Sequence, residues 1–550
     1  MSNFIKIAAS LFFICILIVC CSSEVNIDPP PIASDVREIK INIDQDLQIM
    51  DGFGASDAWR TQMVGKNWPI EKRNAIADLL FSKEMDASGN PKGIGLSIWR
   101  FYIGSGSMEQ GSDSNIADEW RRSECFQNPD GSYDWTKQSG QRWFLQAAKK
   151  RGVEKFLAFT ISPPVQMTIN GKAFSSQKKN MNIKPGLLTN YADFLVDCID
   201  NLQRNEGVTF DYLSPINEPQ WDWMAGDNGL ASQEGTPATN LEMFDFTKVL
   251  SDKMKAKSLS TEIVLGEAAI INYLYEDVNP ENRDNQIITF FGPSSTSNIS
   301  QLPNVKKVIT GHSYFSVWPV NDMIGYREKL NTRIKQMGDL KYWQTEYSIL
   351  ENPGTAEIPG GSGNQRDLGM KTALFVARTI HNDIAVANAS SWQWWTALSR
   401  YDYKDGLIYL DNGISSGLST SVAADPNYCK TDGFYHDSKL LWALGNYSLF
   451  VRPGMIRIQI ANQNDRAAAA DVMLTAYKDV SKKKLVIVAI NYSNSARLYK
   501  LNLSGVTIKN NELSPYITSE NSNLKKAATV SAAKFEIPAR SIVTYTATYN

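Results

Sequence analysis

The sequence predicts an α/β fold, a (β/α)8 TIM barrel with an appended β-sandwich side domain. Three observations carry this. Eight apolar runs of strand length recur between residues 49 and 398, helix-like stretches alternate with them, and from about Ile456 the pattern changes to short strand-like runs separated by turn residues. Eight strand–helix repeats over roughly 350 residues favour a closed barrel with generous loops, longer than the usual ~250 residues. A doubly wound open sheet is the competing fold, but the nucleotide loop that usually marks it is not found: "IGSGSMEQG" lacks both a Walker lysine and the full dinucleotide spacing.

In chain order, residues 1–21 read as a lipoprotein-type signal peptide, with Lys6 ahead of the apolar run "IAASLFFICILIVCC". The run is too short for a comfortable membrane span. Cys21 is the candidate lipidation site, Cys20 is the alternative, and a plain signal peptide with incidental cysteines is the simpler reading. Residues 22–36, Pro-rich and polar, read as a tether. The strand "REIKINID" within 37–50 has no helix after it and is assigned to the side domain. The catalytic barrel spans 51–450. Its strands are "IMDGFGAS", "IGLSIWRFYIG", "KFLAFTISPP", "FDYLSPINEP", "EIVLGEAAI", "VKKVITGHSYF", "KYWQTEYSI" and "SSWQWWTAL", and its helices include "PIEKRNAIADLLFSKEM", "KQSGQRWFLQAAKKRG", "YADFLVDCIDNLQRN" and "DLGMKTALFVARTIHND". Residues 451–550 form the C-terminal β-sandwich, with "KKLVIVAINYS", "LYKLNLSG" and "KFEIPARSIVTYTATYN" among its strands.

Composition excludes several function classes. The 550 residues are 43% hydrophobic and 21% charged with a net charge of −2, so no basic footprint points to nucleic acid. After the leader, Cys125, Cys198 and Cys429 have no paired spacing, and the three histidines are far apart with no HExxH or CxxC. No catalytic metal and no cofactor are expected.

In a (β/α)8 enzyme the reacting residues sit where the strands end. The first strand ends at Asp57, Arg100 lies in the second, and Ser162 ends the third. Asn217 and Glu218 end the fourth, His312 and Tyr314 the sixth, Glu346 the seventh, and a tryptophan cluster the eighth. Two glutamates on opposed strand ends are what a retaining glycosidase needs: one carboxylate attacks the anomeric carbon, the other protonates the departing oxygen, and about 5–5.5 Å separates them. One must be held protonated and the other ionised. Arg100 is placed to keep the nucleophile ionised, Tyr314 to hydrogen-bond it, and Asn217 to hold the sugar 2-hydroxyl. Asp57 and His312 are candidate substrate-binding residues. Trp59, Trp221 and Trp223 are candidate platforms for sugar rings, the alternative being loop packing. Neighbouring residues on a strand point to opposite faces, so of Trp394 and Trp395 only one faces the sugar, and the motif position favours Trp395. Glu267, ending the fifth strand, is read as a structural or outer-site residue, and Glu234 lies in the loop after the fourth.

The motifs "INEP", "GHSYF", "QTEYS" and "SSWQWWTAL", with "DGFGASDAW", "LSIWRFYIG" and "TISPPVQMTINGK" in order before them, resemble glycoside hydrolase family 30 of clan A. The resemblance covers nearly everything after the tether, including a side domain built from both chain ends. It implies Glu218 as acid/base and Glu346 as nucleophile. The stretch "NEPQWDWMAGDNGLASQEGTPAT", with "ISPPVQMT", looks most like the endo-β-1,6-galactanase-like branch, which acts on arabinogalactan side chains. The same chemistry on xylan or a β-1,6-glucan, or exo-trimming of shorter chains, is the alternative. A carbohydrate-binding surface lipoprotein without activity is the alternative of another class. The expected setting is that of an exported, membrane-anchored lipoprotein at the cell surface or in the periplasm, monomeric, with a polysaccharide or oligosaccharide as partner.

Overall fold

The computed structural model of the protein describes residues 35–278, 281–413, 425–461 and 463–550. The leader over 1–21 with Cys21, and the tether up to residue 34, lie outside the described residues. Among those described, no helix is long and apolar enough to cross a membrane.

After β1 (Val36–Ile49), eight parallel strands close a barrel in chain order: β2 (Gly52–Ser56), β3 (Ile98–Tyr102), β4 (Lys155–Phe159), β5 (Tyr212–Ser214), β6 (Glu262–Ala268), β7 (Val305–His312), β8 (Lys341–Glu346) and β9 (Ser391–Trp395). Closure is the pairing of β2 with β9, from Gly52 opposite Ser391 to Ser56 opposite Trp395. β2, β3 and β9 are buried at every position, because one face meets the barrel interior and the other the surrounding helices. Ile98, Leu157, Tyr212, Val264, Val308 and Trp343 fill the interior. At the end where the strands begin, the Trp343 indole donates to Asp51 Oδ2 at 2.8 Å, and Lys341 reaches the same carboxylate at 3.2 Å. Gly54 is required by close approach: a Cβ there would lie 2.8 Å from the Ile98 carbonyl oxygen and 2.9 Å from the Ile98 Cβ.

Helices Ile70–Phe81, Ser139–Lys150, Leu188–Glu206 and Met370–Ala385 occupy the four helix-like stretches named above. Leu188–Glu206 stops at Gly207, whose φ of 61° suits a residue without Cβ. Asn240–Ala256 starts at a capping box, in which Thr239 Oγ1 accepts from Glu242 N–H at 3.2 Å and Glu242 Oε2 accepts from Thr239 N–H at 2.9 Å. The other Glu242 oxygen accepts from Met181 N–H at 3.2 Å and Asn180 Nδ2 at 3.1 Å, which ties the long loop after β4 to the start of this helix. A small sheet of β10 (Leu398–Ser399), β11 (Ile408–Asp411) and β12 (Phe434–Asp437) follows the barrel.

The side domain comprises β13 (Ile456–Ala461), β14 (Val472–Asp479), β15 (Lys484–Asn491), β16 (Arg497–Ser504), β17 (Glu512–Ser519), β18 (Ser522–Lys526), β19 (Val530–Ser531), β20 (Phe535–Ile537) and β21 (Ser541–Thr548). β1 joins it between β13, antiparallel, and β16, parallel. Hydrogen bonding runs through one sheet, ordered β18-β17-β21-β15-β14-β13-β1-β16-β20 with β19 beside β17. The sheet curls over its own core. Ile39, Ile41 and Ile43 of β1, Tyr499, Phe535 and Ile537 pack with Leu474, Ala476, Leu485 and Ile487. The alternate residues Met473, Tyr477, Val486, Val488 and Ile490 face the other way and belong to the core around the barrel, as a period of two requires. Helix Lys439–Ser448 is held to the sheet by Asn446, whose Nδ2 donates to Thr544 Oγ1 at 3.0 Å and whose carbonyl accepts from that hydroxyl at 2.6 Å.

Candidate active site

The C-terminal ends of the barrel strands surround a cleft of about 340 Å³. It is lined by Phe159 and Ile161 at the end of β4, Asn217, Glu218, Trp221, Trp223 and Gln233 after β5, Tyr314 and Phe315 after β7, Glu346, Leu350 and Glu351 from β8 onward, and Trp395 at the end of β9.

Glu218 sits at φ 44° and Glu267 at φ 42°, next to Gly266 at φ 126°. Left-handed backbone at a non-glycine residue costs about 1–3 kcal/mol and persists only where surroundings enforce it. Here the Glu218 N–H donates to the Glu267 carbonyl at 3.0 Å, and the Glu267 N–H donates to Thr310 Oγ1 at 2.8 Å. The Glu218 carbonyl accepts from Trp221 N–H at 3.1 Å and the Trp223 indole at 3.0 Å. The turn after β5 is therefore fixed on both sides of the carboxyl.

The side chains form one hydrogen-bonded cluster. Arg100 Nη1 donates to Glu346 Oε2 at 3.0 Å and to the Thr345 carbonyl at 3.0 Å, and its guanidinium lies 4.3 Å from the centre of the Phe159 ring. Tyr314 donates its hydroxyl to Glu346 Oε1 at 3.1 Å. His312 stands between two carboxyls, with Nδ1 2.9 Å from Glu218 Oε1 and Nε2 2.8 Å from Glu267 Oε2. Glu267 also accepts from Thr345 Oγ1 at 2.8 Å, Ser214 Oγ at 3.0 Å and Arg100 Nη2 at 3.5 Å. One oxygen each of Glu218 and Glu346 lie within 4.8 Å of one another, with His312 Nδ1 2.9 Å from Glu218 Oε1 and 3.8 Å from Glu346 Oε1. Those three side chains are near enough to ligate an ion, yet both nitrogens of His312 are committed to carboxylates, which leaves the ring no lone pair for a metal.

The electrostatics separate these groups. Burial pushes the Glu218 carboxyl above its ordinary value; His312 pulls it down, and Glu346 and Glu267 add to the rise. Glu267 is equally buried, but Arg100, then His312 and Thr345, outweigh burial and hold its carboxyl down to about 2. For His312, burial opposes charge, but Glu346, Glu218 and Glu267 overcome it and push the imidazole up to about 10. At neutral pH His312 is an imidazolium that donates to both carboxyl partners.

A sequence profile described as O-Glycosyl hydrolase family 30 matches residues 36–409. The chain belongs to O-glycosyl hydrolase family 30. It is a glycoside hydrolase. A relative from Hypocrea rufa, an endo-β-1,6-galactanase, is 24% identical over 463 residues, covering 81% of this chain and 79% of that one. Among solved structures, a conserved exported protein from Bacteroides fragilis shares 34% identity and a TM-score of 0.84, over 93% of this chain and all of that one. The catalytic domain of a family 30 xylanase C from Talaromyces cellulolyticus superposes with a TM-score of 0.63 at 21% identity, over 93% of this chain and all of the other.

Of the residues expected from the sequence, this family 30 structure brings Asn217, Glu218, Tyr314, Glu346, Trp221, Trp223 and Trp395 to the cleft. Trp394, one residue earlier, is fully buried with its indole donating to the Asp405 carbonyl at 2.8 Å. Asp57 is corrected. It does not line the cleft: Oδ1 accepts from the N–H groups of Trp59 and Arg60 at 3.1 and 2.7 Å, Oδ2 accepts from Leu398 N–H at 2.9 Å, and the residue is fully buried. His312 is corrected in the same sense: fully buried, it supports Glu218 from behind the cleft wall. Arg100, also fully buried, reaches Glu346 and not the cleft. Trp59 is covered by Trp395, ring centres 5.1 Å apart. Glu234 is buried among the hydroxyls of Tyr102, Ser107 and Ser123, which fixes the loop that carries Gln233. Sequence reasoning missed the reach of Glu267 to His312 and Arg100, and the lining residues Gln233, Phe315 and Glu351. For Glu267 a signal existed, since a carboxylate ends an apolar strand there as at Glu218.

Proposed function

We propose that the protein is a retaining β-glycoside hydrolase that acts by double displacement, with Glu346 as nucleophile and Glu218 as acid/base, on β-1,6-galactan of arabinogalactan side chains. The observation that carries the mechanism is the carboxyl spacing. Oxygens of Glu218 and Glu346 within 4.8 Å of one another favour the ~5–5.5 Å spacing of retaining enzymes over the ~6.5–9.5 Å of inverting enzymes, which hold a water between the carboxyls.

The charges fit these roles. With Glu218 protonated, the buried cluster contains two cations, Arg100 and His312, and two anions, Glu267 and Glu346, and is neutral. Ionising Glu218 would add an unbalanced buried charge, in line with its raised value. Glu346 attacks the anomeric carbon, the glycosidic C–O bond breaks, and the departing oxygen takes the Glu218 proton. The glycosyl ester removes the Glu346 charge as Glu218 gives up its proton, so the cluster stays neutral and the Glu218 carboxylate is favoured. It takes a proton from water as that water attacks the same carbon and releases Glu346. Asn217 lines the cleft beside the acid, and its Oδ1 has no hydrogen-bond partner among the described residues, which suits it to the sugar 2-hydroxyl.

The galactan assignment rests on the loop after β5 and on the Hypocrea rufa relative. The proposed setting is outside the cytoplasm, anchored through Cys21, on the strength of the leader pattern and of the exported Bacteroides fragilis neighbour. A product profile on β-1,6-galactan, glucuronoxylan and β-1,6-glucan, with the Glu346→Gln variant as blank, tests the reading. Short galacto-oligosaccharides absent from the blank are expected. A ladder from another polymer moves the substrate and keeps the mechanism, whereas a Glu346→Gln variant as active as the wild type removes the mechanism.

A further inference from the structure

The cleft contains a third carboxyl that the two-glutamate mechanism does not use. Glu351 lines the cleft five residues after Glu346 and is only 9% exposed. Its Oε1 accepts from the Tyr347 hydroxyl at 3.3 Å, while its Oε2 is buried with no hydrogen-bond partner among the described residues. Backbone N–H groups of Glu351, Leu350 and Phe315 lie near enough to favour the ionised form, but none reaches hydrogen-bonding geometry with Oε2. Burial outweighs them and pushes the carboxyl up to about 7, so the side chain holds its proton at mildly acid pH and begins to lose it at neutral pH. A buried polar atom left unpaired is destabilising, and in native structures it calls for a functional account.

The surroundings identify that account. The cleft is closed at Trp395, 8% exposed, and open at Phe315 and Leu350, 58% and 50% exposed. Trp221, whose ring centre is 6.4 Å from that of Phe315, is three residues beyond Glu218 and bonded to its carbonyl. The open rim therefore adjoins the acid, on the side where the departing oxygen must be. Apolar side chains around one buried polar group are how proteins seat a sugar ring: the flat face packs and the polar group fixes a hydroxyl. Resting on the proposed double displacement, we propose that Glu351 is a substrate-binding residue that hydrogen-bonds a hydroxyl of the sugar on the leaving-group side of the cleaved bond.

The test compares Glu351→Leu, which removes both polar atoms at similar volume, with Glu351→Gln, which retains a donor and an acceptor. Substrates are oligosaccharides of whichever polymer the wild type cleaves, and the aryl β-glycoside of the same sugar, whose phenol leaving group carries no ring hydroxyls. Loss of one buried hydrogen bond is expected to raise KM for the oligosaccharide about tenfold in Glu351→Leu, with Glu351→Gln within about threefold of wild type. The loss on the aryl glycoside should be several-fold smaller, and the Glu351→Leu melting temperature equal to or above wild type, since an unpaired polar atom is gone. A Glu351→Leu KM at the wild-type value, or equal losses on both substrates, overturns the proposal. If the wild type cleaves xylan, the galactan reading fails and the Glu351 comparison is made on xylo-oligosaccharides. Calorimetric binding of the same oligosaccharides to Glu346→Gln, with and without Glu351→Leu, gives the answer without turnover, and equal affinities there also overturn it.

Discussion

Glu218 and Glu346 are the same residue at the ends of two strands of one barrel, and they differ in what surrounds them. Glu346 is held by two donors, Arg100 and Tyr314, and ends β8, where the pairing with β7 shifts by one residue between Gln344 and Glu346. Glu218 has one donor, His312, itself committed on its far side to Glu267, and sits in left-handed backbone. Direct contact with a guanidinium favours an anion; burial beside other carboxylates favours a neutral acid. The proposed acid and nucleophile are thus set apart by their neighbours, and the pair can be tested by treating its two members alike.

The same substitution at both positions should give different results. Glu346→Gln removes the atom that forms the covalent bond, so turnover is expected to fall on the order of 10⁴- to 10⁶-fold on every substrate. Glu218→Gln removes a proton donor, and the loss should depend on the leaving group: about 10²–10⁴-fold on natural glycans and far less for the glycosylation step of an aryl glycoside with a good leaving group. Equal losses on both substrate types would count against Glu218 as the acid. The pH profile sharpens the contrast. As the proposed acid, Glu218 acts in its protonated form and its value is raised, so activity on natural glycans should decline as pH rises through that raised value, above the ordinary ~4.3. The alkaline limb should be absent from Glu218→Gln assayed on the aryl substrate, and a limb that persists unchanged assigns it to another group. A smaller effect is expected from Tyr314→Phe: loss of one hydrogen bond to a charged oxygen, about 10- to 100-fold in kcat, with no dependence on leaving group of the kind Glu218→Gln shows.

The two glutamates were legible because each ends an apolar run in which a charge has no packing purpose; the period of two said that only one of Trp394 and Trp395 faces the cleft, and the motif position picked Trp395. Asp57 also ends such a run, but the side chain of an aspartate readily accepts from N–H groups two and three residues on, and the local sequence "DAWR" allowed that turn. His312 was named but misplaced, since its position between Glu218 and Glu267 depends on distances across three strands. Glu351 lies in a polar loop, "ENPG", where nothing along the chain marks a buried carboxyl. In the side domain β1, β15, β16, β20 and β21 were readable as single strands. Their order was not, because the pairing of β1 with both β13 and β16 joins residues more than 400 positions apart, and register between distant strands is set by packing.

The subtlest test addresses what lies behind Glu218. Glu267 touches no part of the cleft but anchors His312 and Arg100, the cations that serve the two reacting carboxyls. In Glu267→Gln the cluster loses one negative charge while both cations remain, so the protonated form of Glu218 becomes harder to keep, and the alkaline limb should shift to lower pH with about a tenfold loss of kcat at neutral pH. The stability consequence has a defined sign. Glu267 is held down to about 2 in the folded chain, against ~4.3 unfolded. Its ionisation therefore stabilises the fold fully above the unfolded value, and this contribution fades as pH falls toward 2. The melting temperature of Glu267→Gln should lie several degrees below wild type at pH 7, with the gap narrowing progressively below pH ~4. Melting curves across that range decide the matter: a gap independent of pH would mean that the carboxylate does not anchor the two cations, and that the difference between Glu218 and Glu346 is set by their immediate donors alone.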